Sequence, residues 1–277
     1  NISSKFDNTP CVSYIGPDGS GHYVKMIHNG IEYADMQLIS EVYSILKHIV
    51  QLNNKNISDI FNIWNQGELN SYLLDITKNI LIKKDDHYNT DLIDCILDAA
   101  VGKGTGKWTC QDALELNEPL NVITESVFAR YISSLKSQRM LSSKILSGPK
   151  IQIIINNKDD FIEHVRQALY LGKIISYTQG FSQLSHASKK YFWNIKCSDV
   201  AKIFRSGCII QSRCLNSIVK IYKYDNTIIN LLLSSEFQEI VNKYQVSLRK
   251  IVSYVISQGL AIPALSAAVS YYDSYRA

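Results

Sequence analysis

One sequence pattern occurs twice in this chain, half its length apart. Ser58-Asp-Ile-Phe-Asn-Ile-Trp-Asn-Gln-Gly67-Glu-Leu69 is answered by Ser198-Asp-Val-Ala-Lys-Ile-Phe-Arg-Ser-Gly207-Cys-Ile209. Each copy reads as a capped amphipathic helix. Upstream, Ile31-Glu-Tyr33 answers Ile175-Ser-Tyr177 with a small slippage. A period this long excludes a solenoid and predicts two helical halves related by duplication. A chance likeness between two capped helices is the alternative.

Composition agrees with helices. The 277 residues contain only 13 Gly and 5 Pro, too few for a strand-and-turn architecture. The spacing predicts a first helix from about Gly21 to Val50. Further helices are expected over about 58–83, 91–100, 121–146, 160–191, 199–224, 228–257 and 263–276, with breaks inside some of the later ones. Asp160-Phe-Ile-Glu163 has the spacing of a capping box, and Gly259 followed by Pro263 marks a stop and a start. Before the first helix, Pro10–Ile15 reads as a short strand and Gly16–Gly21 as a turn. A lone strand cannot pair its backbone, so its sheet is expected in residues preceding this chain. Lack of an initiator Met points the same way. The expected organisation is therefore an all-α domain over 21–277, with 1–20 the end of a preceding domain.

Several function classes fall away. A net charge of +4 with no basic block argues against nucleic acid. The apolar stretch from Gly259 to Ala268 is too short to span a bilayer and contains Pro263. Six cysteines show no CxxC pair and no zinc spacing, so free thiols and no metal site are expected.

Two segments carry chemistry. Lys25, His28, Asn29, Glu32 and Tyr33 fall on one helical face, and Val24, Ile27, Ile31, Ala34 and Leu38 on the opposite, core-facing stripe. An amine, an imidazole, an amide, a carboxylate and a phenol together can move protons in both directions. The plainer alternative is a solvated face. Gly30 costs this helix about 1 kcal/mol relative to Ala, which fits close approach of a ligand or another backbone. The second segment, Gly102-Lys-Gly-Thr-Gly-Lys-Trp108, matches neither a Walker A loop nor a dinucleotide fingerprint. Its free N–H groups, hydroxyl and two cations suit one phosphate or carboxylate; a mere helix connection is the alternative.

In order along the whole chain, several segments resemble the 6-phosphogluconate dehydrogenase family. They are Gly21–Tyr33, Lys103–Trp108, Glu125–Arg130, Lys173–Phe181, Gly207–Ile210 and Tyr272–Arg276. One departure is Val101-Gly102, where the family has Gly-Asn or Gly-Gln before the lysine. The resemblance implies a helical domain of two duplicated halves that follows a Rossmann domain, whose last strand would lie near Cys11–Ile15. It further implies cytoplasmic, NADP-dependent oxidative decarboxylation of 6-phosphogluconate to ribulose 5-phosphate, with no metal. By the same resemblance Lys25 is the general base and Glu32 the acid that protonates C1. His28 and Asn29 contact substrate, and Asn29 also the nicotinamide. Tyr33, Lys103, Thr105 and Arg130 form the phosphate pocket. The family is a homodimer whose C-terminal tail, beyond Ala277, completes the partner's site. Two rivals remain: a helical dimerisation and binding module alone, and a related β-hydroxyacid dehydrogenase acting on another acid.

Overall fold

The computed structural model describes residues 2–88, 90–150 and 152–277. Helices dominate, and the sole sheet among the described residues is a hairpin of β1 (Lys5–Phe6) and β2 (Thr9–Pro10). The strand expected over Pro10–Ile15 is thus shorter and earlier. Asp7 and Asn8 both take positive φ, 46° and 61°, the backbone of a tight hairpin turn. The segment pairs with itself, Cys11 N–H still donating to the Ser4 carbonyl at 2.8 Å, and Val12–Ile15 leads on to the first helix outside any strand.

That helix, α1 (Ser20–Ser44), continues as a π-helical turn, Ile45–Ile49. The repeat units follow the duplication. The first forms α2 (Asn54–Trp64) and α3 (Tyr72–Ile82); α4 (Leu92–Cys95) is all that remains of the helix expected over 91–100. The run over 121–146 divides at Leu135 into α6 (Asn121–Ser134) and α7 (Lys136–Ile145), after α5 (Thr105–Leu116). Next comes α8 (Lys158–Lys190), then the second repeat as α9 (Cys197–Ile203) and α10 (Cys214–Tyr224), and finally α11 (Ser235–Ser257) and α12 (Pro263–Arg276). Both repeat helices stop short of the expected length because Gly67 and Gly207 lie in turns that fold each pair back on itself. The helix start expected at Asp160 moves to Asn157, whose side-chain oxygen accepts from the N–H groups of Asp159 and Asp160.

The two repeats meet at corresponding places. Tyr72 N–H donates to the Gln211 carbonyl at 3.1 Å, and Arg213 N–H to the Asn70 carbonyl at 2.8 Å. The long helices α1 and α8 pack on each other at the centre, and α5, α6 and α12 close around α1. Val24, Ile27, Ile31, Ala34 and Leu38 are all buried there, as the stripe predicts.

One buried carboxylate holds α12 in place. Glu41 accepts from the Ala264 N–H at 2.7 Å and the Leu265 N–H at 2.9 Å, capping α12 from α1. Burial pushes its pKa up to about 7, against those same hydrogen bonds and the one from Gln37. Glu41→Ala leaves two enclosed donors unpaired, at a cost of about 1–3 kcal/mol each. Because the folded-state pKa is raised, Glu41's protonation contributes stability fully below the unfolded carboxylate pKa, and this is lost as pH rises through about 7. Urea melts should therefore show a wider gap between parent and variant near pH 5 than near pH 8. A gap that narrows on acidification would contradict this account.

Candidate active site

The polar face of α1 is a wall rather than a solvated surface. Lys25 is exposed and Asn29 and Glu32 are half-buried, but His28 and Tyr33 are enclosed. Lys25 Nζ lies 2.7 Å from Asn29 Oδ1 and 3.1 Å from His28 Nδ1. His28 Nδ1 is in turn 3.6 Å from Glu32 Oε2. These one-turn spacings are what a helix imposes on side chains three and four apart. His28 packs edge-on against Phe204, 5.3 Å between ring centres, so the second repeat forms the site's floor.

Charge follows burial. Enclosure, together with the adjacent Lys25 cation, pushes the His28 pKa down to about 4, so its imidazole is neutral at neutral pH. Burial holds the Glu32 carboxyl above its ordinary range, opposed by Lys25 and Arg130 and assisted by Asp35. A carboxyl so raised is suited to giving up a proton as an acid.

Tyr33 joins this cluster to the glycine segment. The Arg130 guanidinium, from α6, lies 3.9 Å over its ring. On the ring's edge, a Cβ at Gly106 would come within 2.9 Å of Cε1, so only glycine lets the start of α5 approach this closely. Thr105 opens α5, and Lys103 stands exposed just before it. Neither Lys103 nor Arg130 forms an ion pair among the described residues, so both cations are free for an anion. Among the described residues no three His, Cys, Asp or Glu side chains group as metal ligands.

Gly30 has a reason other than a ligand. A Cβ there would meet the Thr109 side chain at 2.7 Å. The Thr109 hydroxyl lies within hydrogen-bond reach of the Met26 and Thr105 carbonyls, 3.0 and 2.9 Å. It ties α5 to α1 across the glycine gap. Asp112 of α5 makes a second tie, accepting from the Tyr23 hydroxyl and, at 3.3 Å, from the Gln183 amide of α8. Thr109, Asp112 and Gln183 escaped the sequence reading because their partners lie far along the chain. The proximity of Thr109 to the glycine segment was the only local signal.

This arrangement can be set beside known proteins. The family model for the C-terminal domain of 6-phosphogluconate dehydrogenase matches residues 21–277. The chain belongs to the 6-phosphogluconate dehydrogenase family. The decarboxylating 6-phosphogluconate dehydrogenase of Buchnera aphidicola subsp. Baizongia pistaciae is 64% identical over 275 residues, covering 99% of this chain and 58% of that protein. The Escherichia coli K12 enzyme of the same name is 58% identical over 271 residues, with 98% and 58% covered. The chain thus spans about three fifths of the length of these curated relatives. A solved 6-phosphogluconate dehydrogenase from Plasmodium falciparum superposes with a TM-score of 0.96 at 44% identity, over 99% of this chain and 59% of that one. That protein was studied alone, with its cofactor NADP+ and with its substrate 6-phosphogluconate.

Proposed function

We propose that this chain is the substrate-binding and dimerisation part of an NADP-dependent 6-phosphogluconate dehydrogenase, decarboxylating. The observation that carries the reading is the joining, through Tyr33, of the Lys25–His28–Asn29–Glu32 cluster to two unpaired cations. One part can move protons and the other can hold a dianionic phosphate.

Lys25, in its free-base form, takes the proton from the C3 hydroxyl. NADP, when bound, would supply the acceptor for the C3 hydride, and its nicotinamide would be held, among this chain's residues, by Asn29. Its amide is half-buried beside Lys25, and an amide complements a carboxamide in both donor and acceptor. The product of that oxidation is a β-keto acid, whose C1 carboxyl leaves as carbon dioxide while the C3 carbonyl takes up the electrons. Lys25, now protonated, returns its proton to the developing C3 oxygen. Glu32 then protonates C1 of the enediol, the former C2, while the hydroxyl on the neighbouring carbon returns its proton to Lys25, giving ribulose 5-phosphate. His28, neutral and fixed against Phe204, offers a hydrogen bond to the substrate. Arg130, Tyr33, Lys103 and Thr105 hold the phosphate, far enough from C3 that binding energy there orients the reacting carbon.

A related β-hydroxyacid dehydrogenase would need no phosphate pocket, and a pure binding module no proton-transfer cluster. Full-length protein should release carbon dioxide and reduce NADP with 6-phosphogluconate, and do so far less well with gluconate. Equal rates with the two acids would favour the related dehydrogenase; no turnover of either would favour the module.

The proposed assembly is a cytoplasmic homodimer, each site completed by the partner's tail. It is supported by an apolar cavity of about 970 Å³ between α5, α6 and α12. Leu114, Phe128 and Tyr131 line it and are exposed, a concentration that monomers seldom leave in water. No helix is long and apolar enough to cross a membrane among the described residues. Sedimentation of this chain should give about twice 31.4 kDa. A clean monomer at micromolar concentration would reject the dimer.

A further inference from the structure

Lys173 begins the stretch Lys173–Phe181 and has no part in the reaction steps above. It sits in α8 with its ammonium paired to Asp35 of α1. The two side chains are only 3% and 1% exposed, and no other ion pair among the described residues has both partners so enclosed. A buried ion pair is commonly no better for stability than apolar groups of the same size, so the fold alone gives no account of it. The pair is also lopsided. Lys173 engages Oδ1 of Asp35, while Oδ2 is buried without a hydrogen-bond partner among the described residues. That oxygen lies in the interior with no donor directed at it among the described residues.

Position gives the pair a use. Asp35 follows Glu32 by three residues on α1, a spacing that makes their side chains neighbours. Lys25 and His28 face Glu32 from the same helix and Arg130 from α6. Around the pair itself stand Tyr177 of α8 and Cys214 of α10. The anchor is rigid: α8 also holds α6 through Gln179 and the Val122 N–H at 3.1 Å, and α5 through Gln183 and the Thr109 carbonyl at 3.0 Å.

We infer that the buried Asp35–Lys173 pair is a positioning device for the acid step: it fixes, one helical turn from Glu32, the carboxylate that offsets the two cations on the open side of the site. This rests on Glu32 being the group that protonates C1. Burial is the larger influence holding a proton on Glu32, Lys25 and Arg130 work against it, and Asp35 restores part of what they remove. Without the Asp35 charge, Glu32 ionises at lower pH and the acid is lost earlier as pH rises.

The test is the pH profile of kcat in full-length protein, for Asp35→Asn, for the doubly neutral Asp35→Asn/Lys173→Met, and for Glu32→Gln. Either variant of the pair that keeps parental secondary structure should have its alkaline limb displaced to lower pH. One pH unit above the parent's optimum, its turnover should fall about threefold further than the parent's. An unmoved limb with a lowered melting temperature would make the pair purely structural and overturn the inference. So would failure of both variants to fold. Glu32→Gln should abolish the alkaline limb. If it keeps that limb, Glu32 is not the acid and the underlying reading fails, whatever the pair variants do.

Discussion

Lys25→Met in the full-length protein should lower kcat by about 10²–10⁴-fold, the usual contribution of a positioned general base. Methionine keeps the unbranched stem, so α1 is undisturbed, while the only amine in the cluster is removed. Nζ now bridges Asn29 Oδ1 and His28 Nδ1; both would remain, oriented by the helix but unable to accept the C3 hydroxyl proton at the right place. KM for 6-phosphogluconate should change little, because the proposed phosphate contacts lie with Arg130 and the glycine segment. A second reading comes from His28. Its pKa is pushed down to about 4 by burial first and by the Lys25 charge second. Removing that charge should raise the imidazole titration seen by NMR, though not to that of a free histidine, because burial persists. Retention of more than about a tenth of kcat, or an unmoved His28 titration, would take Lys25 out of this role.

The parts of the site that were legible in the sequence are those one helix can encode. Lys25, His28, Asn29, Glu32 and Tyr33 recur at helical spacing, and helical geometry alone brings their side chains together. Sequence spacing did not separate the enclosed members, His28 and Tyr33, from the open Lys25. That difference is made by Phe204, Gly106 and Arg130, which arrive from three other elements. Gly30 does mark a close approach, as a glycine inside this helix implies, and the visitor is the Thr109 side chain. Helix existence is visible through periodicity, and breaks inside some runs are expected, but their positions at Gly67, Leu135 and Gly207 are not. The breaks at Gly67 and Gly207 each let a helix turn back onto its neighbour, a gain in burial that local propensity does not register, whereas α7 after Leu135 buries none of its residues. The Asp35–Lys173 pair is the extreme case: two ordinary charged residues, far apart in sequence, whose meaning exists only once α1 and α8 are packed.

Arg130→Ala should distinguish substrates rather than merely slow the enzyme. Its guanidinium rests on Tyr33 and has no carboxylate partner among the described residues, so its charge is available to a phosphate oxygen. Removing a hydrogen bond between charged groups costs about 1.5–3 kcal/mol, or roughly one to two decades in kcat/KM. Part of that loss should appear in kcat, since a phosphate held away from C3 serves to orient the reacting carbon. Gluconate has no phosphate to contact, so its kcat/KM should change little in the variant. There is a competing effect. Arg130 also helps to ionise Glu32, so its loss leaves Glu32 more readily protonated, which spares the acid step and would, if anything, raise turnover of either acid at alkaline pH. The phosphate effect is the larger by this reasoning, because direct contact outweighs a charge acting across the site. The measured ratio of the two acids' kcat/KM should therefore fall by at least about tenfold. An equal drop for gluconate and 6-phosphogluconate would show that Arg130 supports Tyr33 and the α5 start structurally, and the phosphate pocket would have to be sought elsewhere.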